Sequence, residues 1–482
     1  MNYEVSIGLE VHVELLTKSK LFCGCSTRFG ASPNSQTCPV CLGLPGVLPV
    51  INKKAVEYTL STALALNCKA SSFSRFARKN YYYPDLPKNY QISQYEEPLA
   101  RQGYLEFELE GKLRKVEIER VHLEEDAGKL IHGEATENIE EKDMSFVDYN
   151  RTGIPLMEIV TFPVISSPEE AYQYLVNLKK IPKYLKVSDC NMEEGSLRCD
   201  ANISLAPKGE KRGTKAELKN MNSFKEIREG LTSEIKRQSH LLDKGKRIIQ
   251  ETRLWDNKKK KTYPMRSKEW AHDYRYFPEP DLLPLEIEEK WIEELKAKLP
   301  ELPQTRCQRF IREYSLPPYD AGVLTDSKEL ADYFEECLKS FPQPKQVSNW
   351  IMGEFLRLLK EENITVEEVK VSPTQLGKLL KYLKKGTISG KLAKVIFEEM
   401  FKTGRKAKEI IKLQGLKQIT NEKSLRKVIE EVLEQTPQAV SDFKKGKGKA
   451  LGYLVGEVMK KTKGKANPGL VNKLLKEKLS IL

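Results

Sequence analysis

YEVSIGLEVHVELLTKSKLFCGCSTRFGASPNSQTCPVC, residues 3–41, joins a strand pattern to a metal-ligand pattern. Val5, Ile7, Leu9, Val11 and Val13 alternate with Glu4, Ser6, Gly8, Glu10, His12 and Glu14, the period-2 signature of a half-buried β-strand with one polar face. Glu10 and His12 therefore point the same way. At about 3.3 Å per residue they stand roughly 7 Å apart, close enough to share a metal ion or a phosphate–metal complex. After the strand come Cys23-x-Cys25 and then Cys38-x-x-Cys41, separated by a loop containing Gly30, Pro33 and Asn34. Two closely spaced thiolate pairs satisfy tetrahedral Zn²⁺, and a closed four-cysteine site holds a loop in place and leaves no open position for catalysis. The competing reading is four unligated cysteines or two disulfides. The other cysteines, Cys68, Cys190, Cys199, Cys307 and Cys337, are scattered and make the total odd, which suits a reducing compartment better than a disulfide framework.

The chain has 482 residues, enough for two to four domains of about 100–200 residues each. Mean hydropathy is −0.52. No run approaches the about 18 apolar residues of a membrane span, and the first residues form a polar-faced strand in place of a signal peptide. A cytoplasmic protein with no membrane partner is expected. The net charge of +13 is unevenly placed: residues 401–482 hold 20 Lys+Arg against 8 Asp+Glu. The basicity belongs to one end, which suggests a phosphate-rich partner there, although a solvated lysine surface has the same composition.

Residues 1 to about 290 read as strands with short loops and few long helices. After Pro284 the pattern becomes helical, punctuated by Pro300, Pro303, Pro317, Pro318 and Pro342, with a further boundary near residue 405 at the charge shift. In FARKNYYYPDLPKNYQISQYEEPLA, residues 76–100, Pro84 and Pro87 forbid a helix. The segment reads as an ordered loop presenting Lys79, Tyr81, Tyr82, Tyr83, Lys88 and Tyr90, a surface for a base or a phosphate, or plain aromatic packing.

KVEIERVHLEEDAGK, residues 115–129, is a strand ending in Glu124, Glu125 and Asp126 before Gly128, a placement that suits Mg²⁺ or a plain acidic turn. Its alternation slips between Ile118 and Val121, so pattern alone leaves open which of Glu124 and Glu125 faces inward; a bulge would explain the slip. In DYNRTGIPLMEIVT, residues 148–161, Glu158 lies among Ile154, Leu156, Met157, Ile159 and Val160. A carboxylate there is costly unless it is paired or bound to a metal. SLRCDANISL puts Arg198, Asp200, Asn202 and Ser204 on one face, and KAELKNMNSF does the same for Lys215, Glu217 and Lys219. A sheet face lined by Glu, His, Asp, Asn, Arg and Lys has the groups that hold nucleotide phosphates through metal and cations, whereas the plain alternative is an antiparallel sheet with one wet face. Gly-rich phosphate loops, Rossmann fingerprints, nucleophile elbows and protein-kinase signatures are absent.

The segments GLEVHVEL, TCPVCLGLPGVLPVIN, RKNYYYPDLPKNYQISQ, LEEDAGK, DYNRTGIPLMEIV, GSLRCDANIS, ELKNMNSF and MRSKEWAHDYRYFPEPDL resemble, in this order, successive blocks of the GatB/GatE family, in particular GatB of the bacterial tRNA-dependent amidotransferase. GKGKALGYLVGEVMKKTKGKANPGLVNKLL is similar to that family's tail domain, also found as a free-standing YqeY-like module. The resemblance implies an α+β cradle domain with a mainly antiparallel sheet (residues 1–290, related to the glutamine synthetase and guanido kinase fold), then a helical domain (291–405) and a YqeY-like helical tail (406–482).

It also implies a reaction. ATP phosphorylates the side-chain carboxylate of Glu-tRNA(Gln) or Asp-tRNA(Asn), and ammonia displaces the phosphate. On this reading Glu10, His12, Glu125 and Glu158 hold Mg²⁺, with Glu124 as the alternative to Glu125. Arg198, Asp200, Asn202 and Lys219 contact nucleotide phosphate, metal water or the acyl group, with Lys79 and Lys88 on phosphate. Cys23, Cys25, Cys38 and Cys41 hold Zn²⁺. Lys447, Lys449, Lys461, Lys463 and Lys465 meet tRNA phosphates. Because the chain has neither an amidase Ser-Ser-Lys constellation nor a cysteine glutaminase signature, ammonia is expected through a tunnel from the glutaminase partner, GatA, with the small partner GatC completing a heterotrimer. No large domain is inserted in the helical region, a departure from the archaeal relative GatE that points to the bacterial type. The readings set against this one are a non-catalytic zinc-stabilised tRNA-binding scaffold, whose face should be basic and not acidic, and a glutamine synthetase-like ligase for a small molecule, for which the basic tail would have no purpose.

Overall fold

The computed structural model describes residues 3–132, 144–265, 275–413, 422–444, 447, 449–462, 466 and 468–481. They fall into two compact units, Met1–Pro303 and Gln304–Leu482.

The first unit is α+β. Its strands run, in chain order, β1 (Tyr3–Glu14), β2 (Lys69–Ala70), β3 (Phe73–Ser74), β4 (Ala77–Asn80), β5 (Tyr90–Ser93), β6 (Ala100–Leu109), β7 (Lys112–Glu125), β8 (Lys129–His132), β9 (Ser145–Asp148), β10 (Pro155–Thr161), β11 (Leu197–Pro207), β12 (Ala216–Lys219), β13 (Glu251–Asp256), β14 (Lys261–Pro264), β15 (Arg275–Pro278) and β16 (Leu285–Glu286). Nine of them form one sheet in the order β14-β13-β12-β11-β1-β10-β7-β6-β2. Its long strands pair antiparallel, and β12 with β13 is a parallel pair. β1 lies inside this sheet, between β10 and β11, so both of its edges are hydrogen-bonded.

The alternation in β1 produces the two faces that it predicts. Ile7, Leu9, Val11 and Val13 are each 0% exposed. They share one apolar core with Val56, Leu60 and Ala63 of α1 (Lys53–Ala65), Tyr174, Leu175 and Leu178 of α2 (Pro168–Tyr184) and Ile227 and Leu231 of α3 (Phe224–Asp243). These three helices cover the apolar face and leave the charged face of the sheet to the site. The reading of this region as mostly strands and loops passes over them because they carry many charged residues and α2 contains Pro182. Their starts are nevertheless written locally. Ser167 and Ser223 accept hydrogen bonds from the backbone N–H groups of Glu170 and Glu226, and those glutamates reach back to the N–H groups of Ser166 and Asn222, which satisfies donors that a helix start leaves orphaned.

Two local features differ from, or refine, what pattern alone suggests. In β7 the register runs Val160↔Arg120 and then Thr161↔Ile118, so Glu119 is one residue extra. This bulge accounts for the slipped alternation and sets which later residues of β7 face the site. Residues 76–100 are not a plain loop: β4 and β5 pair with each other and β4 also pairs with β15. Pro84 and Pro87 lie in the connection between β4 and β5, where a missing N–H costs nothing.

The second unit is built of helices around two cores. One gathers Phe310, Phe334, Ile351, Phe355, Ile396 and Phe397, with the Phe310 and Phe334 ring centroids 5.1 Å apart. The other, nearer the C-terminus, gathers Leu425, Ile429, Leu454, Val458, Leu474 and Leu475. Beside the first core, the helix Pro303–Tyr314 is clamped to the helix Lys328–Ser340 through Glu335. Its carboxylate accepts from Arg309 Nη1 at 2.7 Å, from Tyr314 OH at 2.8 Å and from Arg306. Burial opposes its ionisation, yet these hydrogen bonds prevail and hold its pKa at about 2. A depressed carboxylate pKa stabilises the fold above the unfolded value of about 4.3, and that contribution is lost as pH falls towards the folded value. Glu335→Gln is expected to cost about 1–3 kcal/mol at pH 7; urea unfolding repeated at decreasing pH should show the gap to wild type closing below about pH 4.3.

Candidate functional site

Residues paired across neighbouring strands of a sheet share a face. The register places Arg198, His12, Glu158 and His122 side by side across β11, β1, β10 and β7. The next row holds Lys219, Asp200 and Glu10 from β12, β11 and β1. On the other side of the first row, Glu14 and Glu124 flank Leu156. Five strands thus deliver one charged patch opposite the apolar core.

Its centre is a group of three potential ligands. Donor atoms of His12, Glu124 and Glu158 all lie within 4.8 Å of one another, with His12 Nε2 3.9 Å from Glu124 Oε1 and 3.7 Å from Glu158 Oε2. Two carboxylates suit a hard divalent cation such as Mg²⁺, and the imidazole widens the fit to Mn²⁺. Of the side chains assigned to the metal from sequence, His12 and Glu158 come together and Glu10 stands in the neighbouring row, held by Asn202 Nδ2 at 2.8 Å. Glu125 is committed elsewhere: it pairs with Lys88 and accepts the Ile92 N–H at 2.8 Å. The bulge at Glu119 is the reason. It puts Val121 and Leu123 in the core and His122 and Glu124 on the site face. Lys88 is thereby neutralised by Glu125, whereas Lys79 acts electrostatically on the centre.

His122 is the residue that sequence reading missed. It is 3% exposed, with Nε2 3.0 Å from Glu158 Oε2 and 3.7 Å from Glu124 Oε2. Burial works against its charge, but Glu158 and Glu124 overcome this and raise its pKa to about 9, so it is an imidazolium at neutral pH. Burial likewise resists the ionisation of Glu124 and Glu158, and His122, together with Lys79, keeps both below the usual carboxylate range. The centre therefore carries two carboxylates that are ionised and preorganised. Counting back by two from Glu124 would have found His122, had the parity been known.

Around the centre the patch alternates in sign. Arg198 Nη2 meets Asp126 Oδ2 at 2.5 Å, and Arg151 Nε lies 3.5 Å from the same oxygen. Burial and Asp126 raise the pKa of Glu14, whereas Arg198 and Arg151 hold that of Asp126 down against the effect of burial. Arg198 Nε is buried and meets no acceptor among the described residues, a donor left for something that enters the site. Lys219 bridges Asp200 and Glu217, the latter at 3.0 Å.

At the end of β1 the chain enters the cysteine loop. Sγ atoms of Cys23, Cys25, Cys38 and Cys41 lie within 4.8 Å of one another, compatible with the roughly 3.8 Å edges of a tetrahedron with Zn–S of about 2.3 Å. All nine cysteines are free thiols. Cys41 Sγ accepts the Cys38 N–H at 3.1 Å and lies 3.7 Å from Nζ of Lys20, which is 1% exposed. A buried cation and a backbone donor beside the sulfurs fit a site of thiolates. Among the tail lysines, Lys447 pairs with Asp442 at 2.9 Å, Lys461 with Glu431 at 2.8 Å, and Lys449 opens a helix. Lys463 and Lys465 lie outside the described residues, as does the 266–274 part of the MRSKEWAHDYRYFPEPDL segment. No described helix is long and apolar enough to cross a membrane.

Residues 5–293 match the GatB/GatE catalytic domain family, and residues 332–479 match the GatB domain family. The chain is 57% identical over 481 residues to the B subunit of the aspartyl/glutamyl-tRNA(Asn/Gln) amidotransferase of Carboxydothermus hydrogenoformans, covering 100% of this chain and 99% of that one. The protein of the same description from Thermoanaerobacter sp. is 57% identical with 100% of both chains covered, and that from Brevibacillus brevis is 53% identical with 100% and 99% covered. With a catalytic-domain match over more than half its length and relatives of this similarity aligned from end to end, the chain belongs to the GatB/GatE family.

Proposed function

We propose that this chain is the component of a tRNA-dependent amidotransferase that activates the side-chain carboxylate of Glu-tRNA(Gln), Asp-tRNA(Asn) or both, with ATP as phosphoryl donor, and passes it to ammonia. The observation that carries the reading is the His12, Glu124 and Glu158 group on a sheet face shared with Arg198 and Lys219. A carboxylate resists attack by an amine until one oxygen becomes a good leaving group. Phosphorylation makes it one, and phosphoryl transfer asks the protein chiefly for positioning and charge neutralisation. His12, Glu124 and Glu158 would hold Mg²⁺, with Glu10 beside them. Mg²⁺ bound there supplies neutralisation of phosphate charge and orientation of its oxygens. His122 keeps the two carboxylates ionised and fixed. Arg198, held by Asp126, offers its buried Nε–H and its exposed edge to a phosphate or to the acyl oxygen, and Lys219 and Lys79 add positive charge from either side.

The sheet with helices on one face and a polar opposite face supports kinship with the glutamine synthetase and guanido kinase cradle for residues 1–290. Residues 291–405 then form the helical domain and 406–482 the tail that meets tRNA. Ammonia comes through a tunnel from the glutaminase partner GatA, the small partner GatC completes the heterotrimer, and the four cysteines hold a structural Zn²⁺.

Two experiments test these assignments. In the complex with its partner proteins, ATP hydrolysis should require the misacylated tRNA. Glu124→Gln should lower that turnover about 10²-fold or more while tRNA binding persists; unchanged turnover would remove Glu124 from the metal, and absence of tRNA-dependent turnover in wild type would favour a scaffold. Elemental analysis of the purified chain should find close to one zinc per chain, abolished in Cys38→Ser together with a lower melting temperature; a metal-free wild type of unaltered stability would overturn the zinc site.

A further inference from the structure

The helix Lys449–Lys461 buries Ala450, Leu454 and Val458 in the core of the C-terminal region. Tyr453, one position from that seam, is 55% exposed. An aromatic ring left in water on a helix that already has its apolar stripe is not explained by packing. Tyr453 lines a cleft of about 540 Å³ together with the turn and helix start at Gln435, Thr436 and Gln438 and with Asp442, Lys447 and Lys449.

We propose that this cleft receives an unpaired nucleobase of the tRNA, stacked on Tyr453. The inference rests on the reading of the tail as the tRNA-binding part and adds to it a particular site. Three features select a base over other occupants. The cleft, about 540 Å³, has room for a base. Its wall combines the exposed ring with the side-chain amides of Gln435 and Gln438, which carry both a donor and an acceptor, the pairing that reads a base edge. Its lining carries a net positive charge: Lys449 and Lys447 line it against the one carboxylate of Asp442, which pairs with Lys447 at 2.9 Å, and Lys461, paired with Glu431, reaches Gln435 Oε1 at 3.3 Å, in a segment where Lys and Arg outnumber Asp and Glu by 20 to 8 over residues 401–482. Stacking supplies affinity that tolerates sequence, the amides supply preference, and the lysines supply the phosphate contacts that flank any extruded base.

The test uses the full-length chain in its assembled complex and an unmodified tRNA(Gln) transcript, measured by filter binding over a salt series with nucleotide-resolution chemical probing. Tyr453→Ala should weaken binding about 5- to 150-fold, leave the salt slope unchanged and expose one unpaired nucleotide that wild type protects. Tyr453→Trp should restore both affinity and protection, a rescue that loss of folding would not allow. Lys449→Ala should lower the salt slope by about one phosphate contact. If Lys449→Ala lowers the slope while Tyr453→Ala binds and protects like wild type, the base site is wrong and the tail still binds tRNA. If alanine at Lys447, Lys449 and Lys461 together leaves the slope untouched, the tail reading fails and the base site with it.

Discussion

The row in which His12 and His122 flank Glu158, with Glu124 against both, sets the conditions for the rest of the first unit. Two ionised carboxylates so little exposed to water are tolerated because the His122 imidazolium lies against both and Lys79 adds positive charge. Removing one partner of such a group leaves a buried charge uncompensated, at a cost of about 3–5 kcal/mol. The sheet must therefore hold its register to within a residue, since a slip of one would send every charge into the apolar core. β1 is well placed for this: it is paired on both sides, and its other face is locked by Ile7, Leu9, Val11 and Val13 against three helices.

The same strand joins the site to the cysteine loop. Glu14 ends β1 beside Asp126, while the chain beyond turns back so that Leu21 N–H bonds to the Gly153 carbonyl and Lys20 Nζ lies 3.7 Å from Cys41 Sγ. A metal on the four thiolates would thus tie down the segment leading out of the strand that carries Glu10 and His12. The second unit works by other means. Its core packing and the Glu335 clamp keep its helices together.

Much of this can be read from residue order. The strand Tyr3–Glu14, the two polar-faced strands around Arg198 and Lys219, the closely spaced cysteine pairs and the basic C-terminal end are all local patterns, and the structure keeps each of them. Glu158 announced itself as a carboxylate among apolar neighbours. The helices α1–α3 were less legible, because charged surfaces and an internal proline blur the helical period even where Ser-x-x-Glu marks the start.

What the sequence determined by itself was therefore periodicity, spacing and composition: which faces are polar, which thiols are close along the chain and where the positive charge lies. Only the tertiary structure decided which charges meet. An extra residue at Glu119, invisible until β7 is paired with β10, turns Glu124 and His122 towards His12 and leaves Glu125 to Lys88. Such pairings depend on strand register between segments 30 or more residues apart, and alternation along one strand carries parity but no information about its partner's register.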